Sequence, residues 1–139
     1  MRYYVDTCIW MDFLEDRKDP QKDLSKIAFQ FLRKLQEQKK TIIISTPLMA
    51  ELQEWCDPAV INGLFLPFAN AIKIQPRQEQ AIEARKLAKT LKIPFTDALH
   101  AILARDAAAI VVTRDKHFRC LEHICIAKKP EELLQSELL

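Results

Sequence analysis

Two short runs, Ile42–Ile44 and Ile110–Val112, consist entirely of β-branched residues and have no polar residue at alternating positions. A strand with this pattern is covered on both faces, which is typical of parallel sheets that carry helices on each side. Tyr3–Val5 is a third run of strand-forming residues. The segments between such runs place apolar residues three and four positions apart, as on one face of a helix. The sequence therefore predicts an α/β fold with one parallel sheet between helices.

The individual elements follow from the same patterns and from the turn residues. Ala71–Ile74 alternates and carries Lys73, which is typical of an edge strand. Ala59–Phe68 is compatible with either a short helix or a loop. The other strands are predicted at Tyr3–Val5, Thr41–Ser45, Ala109–Thr113 and His123–Ile126, and the helices at Cys8–Leu14, Leu24–Leu35, Pro47–Leu52 after an N-cap at Thr46, Pro76–Leu91, Asp97–Ala104 after an N-cap at Thr96, Lys116–Cys120 and Pro130–Leu139.

The length and the charge balance narrow the class of protein. A chain of 139 residues fits a single domain spanning residues 1–139. The 21 basic and 19 acidic residues give a formal net charge of +2, so any contact with nucleic acid must be local rather than a matter of bulk charge. The single glycine, Gly63, excludes a P-loop and a dinucleotide-binding turn, because both need several glycines.

The sequence also carries expectations about compartment and redox state. It has no apolar run of about 18 residues, and the acid at Asp6 comes too early for a signal peptide, so we expect a cytoplasmic protein with no membrane contact. The four cysteines form no CxxC pair and have no histidine at zinc-finger spacing. We therefore expect buried, reduced thiols.

Four acids lie where strands end or helices begin. Asp6 directly follows the first strand, Glu51 lies one turn into the helix after the second, and Asp115 lies two residues past the fourth. Asp97 is at the start of a helix. The carboxyl ends of parallel strands share one edge of the sheet, where ligands bind. Each acid alone also has a structural explanation, as a helix-terminus charge, a turn residue or a solvated glutamate.

Four carboxylates at one edge would repel one another without a cation among them. Mg²⁺ and Mn²⁺ favour oxygen ligands, and such ions activate water and bind phosphate oxygens. Phosphodiester hydrolysis is the reaction this pattern favours. Softer metals are disfavoured, because no cysteine or histidine falls at ligand spacing near the acids.

Four segments, in this order and spacing, carry a family resemblance, namely Val5-Asp6-Thr7, Ser45 to Glu51, Thr96-Asp97-Ala98-Leu99-His100-Ala101 and Val112-Thr113-Arg114-Asp115-Lys116-His117-Phe118. Through them the chain resembles the PIN domain family, and more narrowly its VapC-like toxin ribonucleases. The resemblance implies a three-layer α/β sandwich with a central parallel sheet of about five strands. It also implies an endoribonuclease that uses Mg²⁺ or Mn²⁺ on an RNA substrate, with an antitoxin protein and a homodimer as expected partners.

The family's site carries over onto particular residues. Asp6, Glu51 and Asp97 match the core metal ligands, and Asp115 matches a fourth, more variable acid. Thr113 matches a supporting hydroxyl, and we assign Thr7 the same supporting role. Basic residues beside Asp115 are candidates for RNA contact, namely Arg114, Lys116 and Arg119.

Several assignments stay open at this stage. His100 is either a hydrogen-bonded core residue or part of the site, and His117 is a capping residue or a general base. Trp10 is assigned to the core, whereas Phe13 and Leu14 belong either to the core or to a partner surface. Three alternative functions are a non-catalytic PIN-fold module that binds RNA or protein, an RNA-processing nuclease outside any toxin–antitoxin pair, and a haloacid-dehalogenase-type phosphatase. The last is disfavoured because Asp6 is not followed by a second acid in a DxD pair.

Overall fold

A computed structural model describes residues 1–15 and 23–136 of the chain. Its five strands form one entirely parallel sheet in the order β3-β2-β1-β4-β5. The strands are β1 (Arg2–Val5), β2 (Thr41–Ser45), β3 (Asn70–Ile74), β4 (Ala109–Val112) and β5 (Ala127–Lys128). The helices are α1 (Thr7–Glu15), α2 (Leu24–Glu37), α3 (Thr46–Gln53), α4 (Pro58–Phe65), α5 (Gln78–Leu91), α6 (Phe95–Asp106), a 3₁₀ helix (Lys116–Leu121) and α7 (Pro130–Gln135).

The three central strands are buried on both faces, as their uninterrupted apolar sequence predicts. Successive side chains of a strand point to opposite faces. Tyr3 and Val5 pack into a core with α1, α2 and α4, while Tyr4 between them packs into a second core with α5 and α6. The predicted α/β sandwich is therefore confirmed, and the carboxyl ends of β1, β2 and β4 meet at one edge.

Four predicted element boundaries are wrong. The last strand forms at Ala127–Lys128 rather than His123–Ile126, because the amides of Ile124 and Cys125 bond back to the carbonyl of Leu121 in a turn. Ser45 rather than Thr46 caps α3, since its side chain accepts from the amide of Leu48. Helix α6 has Pro94 rather than Thr96 at its N-cap. Helix α5 begins at Gln78 rather than Pro76.

The ambiguous segment and the chain's last helix are also defined. Ala59–Phe68 is mostly helical, in α4. The terminal helix predicted to Leu139 ends at Gln135, and residues 137–139 lie outside the described part of the chain. In the described residues, no helix combines the length and the apolar character needed to span a bilayer.

The cysteines are free, as expected, but their burial differs from the prediction. Cys125 is buried, and Cys8 and Cys56 are partly buried. Cys120 is exposed, so the prediction of a buried thiol is wrong at this position. The reason is that Cys120 lies on the outer side of the 3₁₀ helix, whose Phe118 and Leu121 face the core.

Candidate metal centre

The structure brings the four predicted acids to the same edge of the sheet. Asp6 follows β1, and its amide bonds to the carbonyl of Val112 at the end of β4 (2.9 Å). Glu51 lies in α3, Asp97 in the first turn of α6, and Asp115 is the N-cap of the 3₁₀ helix. Each acid is therefore positioned by a different element.

A histidine joins each pair of acids, which gives two clusters of possible metal ligands. The inner cluster comprises Asp6, Glu51 and His100, and the outer cluster comprises Asp97, Asp115 and His117. Within each cluster one ligand atom per residue lies within 4.8 Å of the others. The prediction that no histidine falls at ligand spacing near the acids is therefore wrong, and His100 and His117, whose roles the sequence left open, both lie beside them. His100 follows Asp97 by one helical turn and His117 follows Asp115 by two residues, so this spacing was the available signal.

In the inner cluster every carboxylate oxygen lies within hydrogen-bond distance of a polar group. Asp6 Oδ2 accepts from the hydroxyl of Thr113 (2.7 Å), and Oδ1 accepts from the amide of Thr7 (2.8 Å). Glu51 Oε2 accepts from the hydroxyl of Thr7 (2.8 Å), and Oε1 lies 2.6 Å from His100 Nε2. These bonds hold both carboxylates in fixed orientations without a metal.

A buried hydrogen-bond chain fixes His100 in turn. Its Nδ1 bonds to the hydroxyl of Tyr4, which lies 2.6 Å from Ser45 Oγ. Ser45 also accepts from the amide of Leu48 at the start of α3 (3.2 Å). Because Glu51 belongs to α3, the chain starts and ends on the same helix. His100 is thus both a core histidine and a part of the site.

The electrostatics of the inner cluster favour charged Glu51 and His100. Burial raises the pKa of Asp6. Burial alone would raise the pKa of Glu51, but bonds from His100 and Thr7 bring it below its usual range. Burial alone would lower the pKa of His100, but the bond to Glu51 and the charge of Asp6 raise it above its usual value. The two groups thus stabilise each other as an ion pair.

The outer cluster has less hydrogen-bonded support, chiefly the bond that Asp115 Oδ1 accepts from the backbone amide of His117 (2.9 Å). His117 Nδ1 lies 2.8 Å from Asp97 Oδ2 and 3.0 Å from Asp115 Oδ1. That nitrogen is shielded from solvent, and it has no hydrogen bond of acceptable geometry. Burial, together with the negative charges of Asp115 and Asp6, raises the pKa of Asp97 to about 6. Two facing carboxylates and an orphaned ring nitrogen are donors that suit a divalent cation.

The sequence matches the model of the PIN domain family over residues 3–123. The chain belongs to the PIN domain family. No curated protein matches it significantly.

Several solved structures share this fold. VapBC2 from Rickettsia felis, bound to a promoter DNA fragment, aligns with a TM-score of 0.66 at 21% identity, covering 93% of this chain and 98% of that one. VapBC-1 from nontypeable Haemophilus influenzae aligns at 0.65 and 19% identity over 94% and 99%. FitAcB from Neisseria gonorrhoeae aligns at 0.62 and 19% over 93% and 98%. At these identities the likeness shows a shared PIN fold.

The predicted supporting hydroxyls of this PIN domain both contact the acids. Thr7 bonds to Glu51, whereas Thr113 joins the two clusters. The hydroxyl of Thr113 donates to Asp6 and accepts from the amide of Asp115 (3.0 Å). Both residues are therefore placed where a supporting role requires them.

The candidates for RNA contact have different surroundings. Arg114 is only 16% exposed, with Nε 3.2 Å from Asp12 and Nη1 2.8 Å from Glu131, so its charge is already balanced. Lys116 and Arg119 are exposed beside Asp115. They line a polar depression of about 250 Å³ together with Arg114 and the acids Asp115, Glu122 and Glu132. Its remaining bases are Lys128 and Lys129. Sequence reasoning missed these two lysines, because the parallel pairing of β5 with β4 brings them to the site.

An apolar groove lies between α1, α2 and α4 of the PIN domain. Trp10 is buried beneath it, as predicted, whereas Phe13 and Phe29 stack with ring centroids 6.3 Å apart and line its wall. The groove has a volume of about 410 Å³. Gly63 also lines it, and a Cβ added there meets no atom within 4 Å.

Proposed function

We propose that this PIN domain is a cytoplasmic, Mg²⁺- or Mn²⁺-dependent endoribonuclease and the toxin of a toxin–antitoxin pair. The observation that supports it most is the convergence of Asp6, Glu51, Asp97 and Asp115 at one sheet edge. PIN domains are typically nucleases, and the structural neighbours come from toxin–antitoxin complexes.

The chain's own contribution to the reaction is positioning and charge. A divalent cation held by Asp6, Glu51, Asp97 and Asp115 supplies water activation and charge neutralisation at a phosphate. The bonds from Thr7, Thr113 and His100 keep the inner carboxylates oriented, which lowers the entropic cost of assembling the site. Whether one or two ions bind is a question for metal titration.

The polar depression beside Asp115 fits the path of an RNA backbone. Lys116, Arg119, Lys128 and Lys129 surround it, and single basic residues of this kind position phosphates without reading sequence. Arg114 is a weaker candidate for this role, because Asp12 and Glu131 already balance its charge.

Metal-dependent cleavage of RNA by the purified protein tests the catalytic proposal. We expect cleavage with Mn²⁺ or Mg²⁺, none with EDTA, and a loss of at least about 100-fold in Asp97→Asn and Glu51→Gln. Asp57→Asn is the matched control, since Asp57 is exposed and makes no side-chain cap bond. Unchanged cleavage by folded Asp97→Asn would contradict the proposal. Metal binding without cleavage would favour a non-catalytic PIN-fold module.

The apolar groove is the surface we assign to the antitoxin. Its wall exposes Phe29 and Val60, and a groove of this kind accepts an apolar helix or extended segment. The partner to co-express is the small protein encoded by the neighbouring reading frame. We expect Gly63→Trp to abolish co-purification and Gly63→Ala to retain it, since the space above Gly63 is open. Co-purification with Gly63→Trp would contradict this assignment.

A homodimer and a role outside toxin–antitoxin systems remain predictions from the sequence. Light scattering of the purified protein measures whether it is a homodimer. An RNA-processing nuclease is distinguished from a toxin by its effect on growth, because an induced toxin arrests growth unless its partner is co-expressed.

A further inference from the structure

His117 makes a contact that the proposed chemistry of four acids does not use. Its Nδ1 faces Asp97 Oδ2 at 2.8 Å and Asp115 Oδ1 at 3.0 Å, and it is shielded from solvent. A buried nitrogen without an acceptable hydrogen bond is unfavourable unless another group binds it. Both oxygens that face it belong to carboxylates, which favour a positive charge between them.

We propose that Nδ1 of His117 is a nitrogen ligand in the outer cluster, so that the site prefers Mn²⁺ to Mg²⁺. This inference rests on the metal site of the proposed function and adds a ligand and a metal preference to it.

The spacing of the three atoms fits coordination. Two ligands at a right angle around an ion, each about 2.1–2.2 Å from it, lie about 3 Å apart. The distances from Nδ1 to the two oxygens, 2.8 and 3.0 Å, are close to that edge length. Hydrogen bonds have similar lengths, so the feature that distinguishes the outer cluster is that His117 Nδ1 makes no hydrogen bond of acceptable geometry, whereas His100 Nε2 is bonded to Glu51 Oε1 (2.6 Å).

The two histidines therefore have separable roles. Both ring nitrogens of His100 are engaged, one with Tyr4 and one with Glu51, which leaves no lone pair for a metal. The side chains of His117 and Asp115 are 38% and 31% exposed, so the outer cluster borders solvent although Nδ1 itself is shielded. Coordination through Nδ1 leaves the proton of the neutral ring on Nε2.

Metal preference follows from the donor set. Mg²⁺ is a hard ion that takes oxygen ligands and water, whereas imidazole suits first-row transition metals. Mn²⁺ binds carboxylates as readily as Mg²⁺ and also accepts a nitrogen ligand. One imidazole beside two carboxylates thus shifts the balance toward Mn²⁺.

Pulsed electron paramagnetic resonance of the Mn²⁺-loaded protein tests the proposal, because a coordinated imidazole gives a nitrogen hyperfine coupling. We expect this coupling in the wild type and in His100→Gln, and its loss in His117→Gln. His123→Gln is a second control, since His123 is exposed. Calorimetric titration should show Mn²⁺ affinity about tenfold lower in His117→Gln, with a smaller change for Mg²⁺.

Several results would overturn the proposal. They are the absence of nitrogen coupling in the wild type, its persistence in His117→Gln, and its loss in His100→Gln alone. In these cases His117 is a counter-ion to the acids rather than a ligand. Circular dichroism confirms that each variant is folded before the spectra are compared.

The same samples separate this proposal from the proposed function. Nitrogen coupling from His117 without RNA cleavage would leave the ligand assignment standing and the ribonuclease proposal refuted. Metal-dependent RNA cleavage without the nitrogen coupling would leave the ribonuclease proposal standing and the ligand assignment of His117 refuted. If Mn²⁺ does not bind the wild type, both are refuted.

Discussion

The inner and outer clusters carry the same residue types, two acids and one histidine, but in opposite physical states. In the inner cluster the side chains of Asp6, Glu51 and His100 all have hydrogen-bond partners within the protein. In the outer cluster Asp97 and Asp115 repel each other, and the nitrogen between them has no proper bond. All four carboxylate oxygens of the inner cluster have partners within the protein, whereas the two neighbouring carboxylates of the outer cluster face a single imidazole nitrogen.

The difference indicates that the inner cluster holds its carboxylates in place, whereas the outer cluster provides groups that are stabilised when an ion binds. Carboxylates that are already oriented by hydrogen bonds need little reorganisation when an ion binds. Carboxylates that repel each other are stabilised most by the positive charge of the ion. Thr113 contacts both clusters, so the two states are adjoining parts of one site. Substitutions should therefore have opposite effects on the stability of the metal-free protein, depending on which cluster they alter.

The largest expected effect is the loss of the inner histidine. His100→Ala removes one bond each from Tyr4 and Glu51, which keep their bonds to Ser45 and Thr7, and it creates a cavity. We therefore expect a loss of about 2–4 kcal/mol in the free energy of unfolding. Urea denaturation of the metal-free protein measures it. The matched control is His117→Ala, in the outer cluster, which should change stability by less than about 0.5 kcal/mol. Equal losses in the two variants would mean that the clusters do not differ as described.

The sequence alone predicted the four acids, but it did not predict that the inner and outer clusters differ in their hydrogen bonding. Asp6, Glu51 and Asp115 each follow a strand, and the carboxyl ends of parallel strands must share an edge. That argument depends only on backbone topology. It therefore located three of the acids and the sheet that positions them, whereas Asp97, at the start of α6, reaches the same edge through the packing of that helix.

The histidines were harder to assign because their roles depend on tertiary contacts. The position of His100 in an apolar helix predicted burial, but its bonds to Tyr4 and Glu51 come from residues 96 and 49 positions away. The displaced β5 illustrates the same limit. The apolar residues of His123–Ile126 favour a strand. However, the amides of Ile124 and Cys125 bond to the carbonyl of Leu121 in the turn that closes the 3₁₀ helix.

In the outer cluster we expect a substitution to raise the free energy of unfolding, by an amount smaller than the loss at His100. Burial and the charges of Asp115 and Asp6 raise the pKa of Asp97 from 3.8 to about 6. The folded protein thus binds this proton more tightly than the unfolded chain, and the contribution of Asp97 to stability falls as pH rises through that window. Asp97→Asn removes the penalty, so we expect it to raise metal-free stability by about 1–3 kcal/mol at neutral pH.

Denaturation at several pH values checks this prediction. The difference between Asp97→Asn and the wild type should grow from pH 3.8 to about 6 and then stay constant. With saturating Mn²⁺ the order should reverse, because only the wild type gains the full binding energy. A variant that is less stable than the metal-free wild type would show that the charge of Asp97 mainly favours the start of α6, an effect of at most about 1 kcal/mol.

The smallest effect is expected at Thr7, which supports the inner cluster through one side-chain bond. Thr7→Val removes the hydroxyl that donates to Glu51 Oε2 but keeps the backbone amide that donates to Asp6, so the cost should be about 0.5–1.5 kcal/mol. Thr7→Ser is the matched control, since it keeps the hydroxyl. Glu51 retains its bond to His100, so its orientation survives, and Mn²⁺ affinity should change by less than about tenfold. A larger loss of affinity in Thr7→Val than in His100→Gln would show that Thr7, rather than the buried chain from Ser45 to His100, sets the orientation of Glu51.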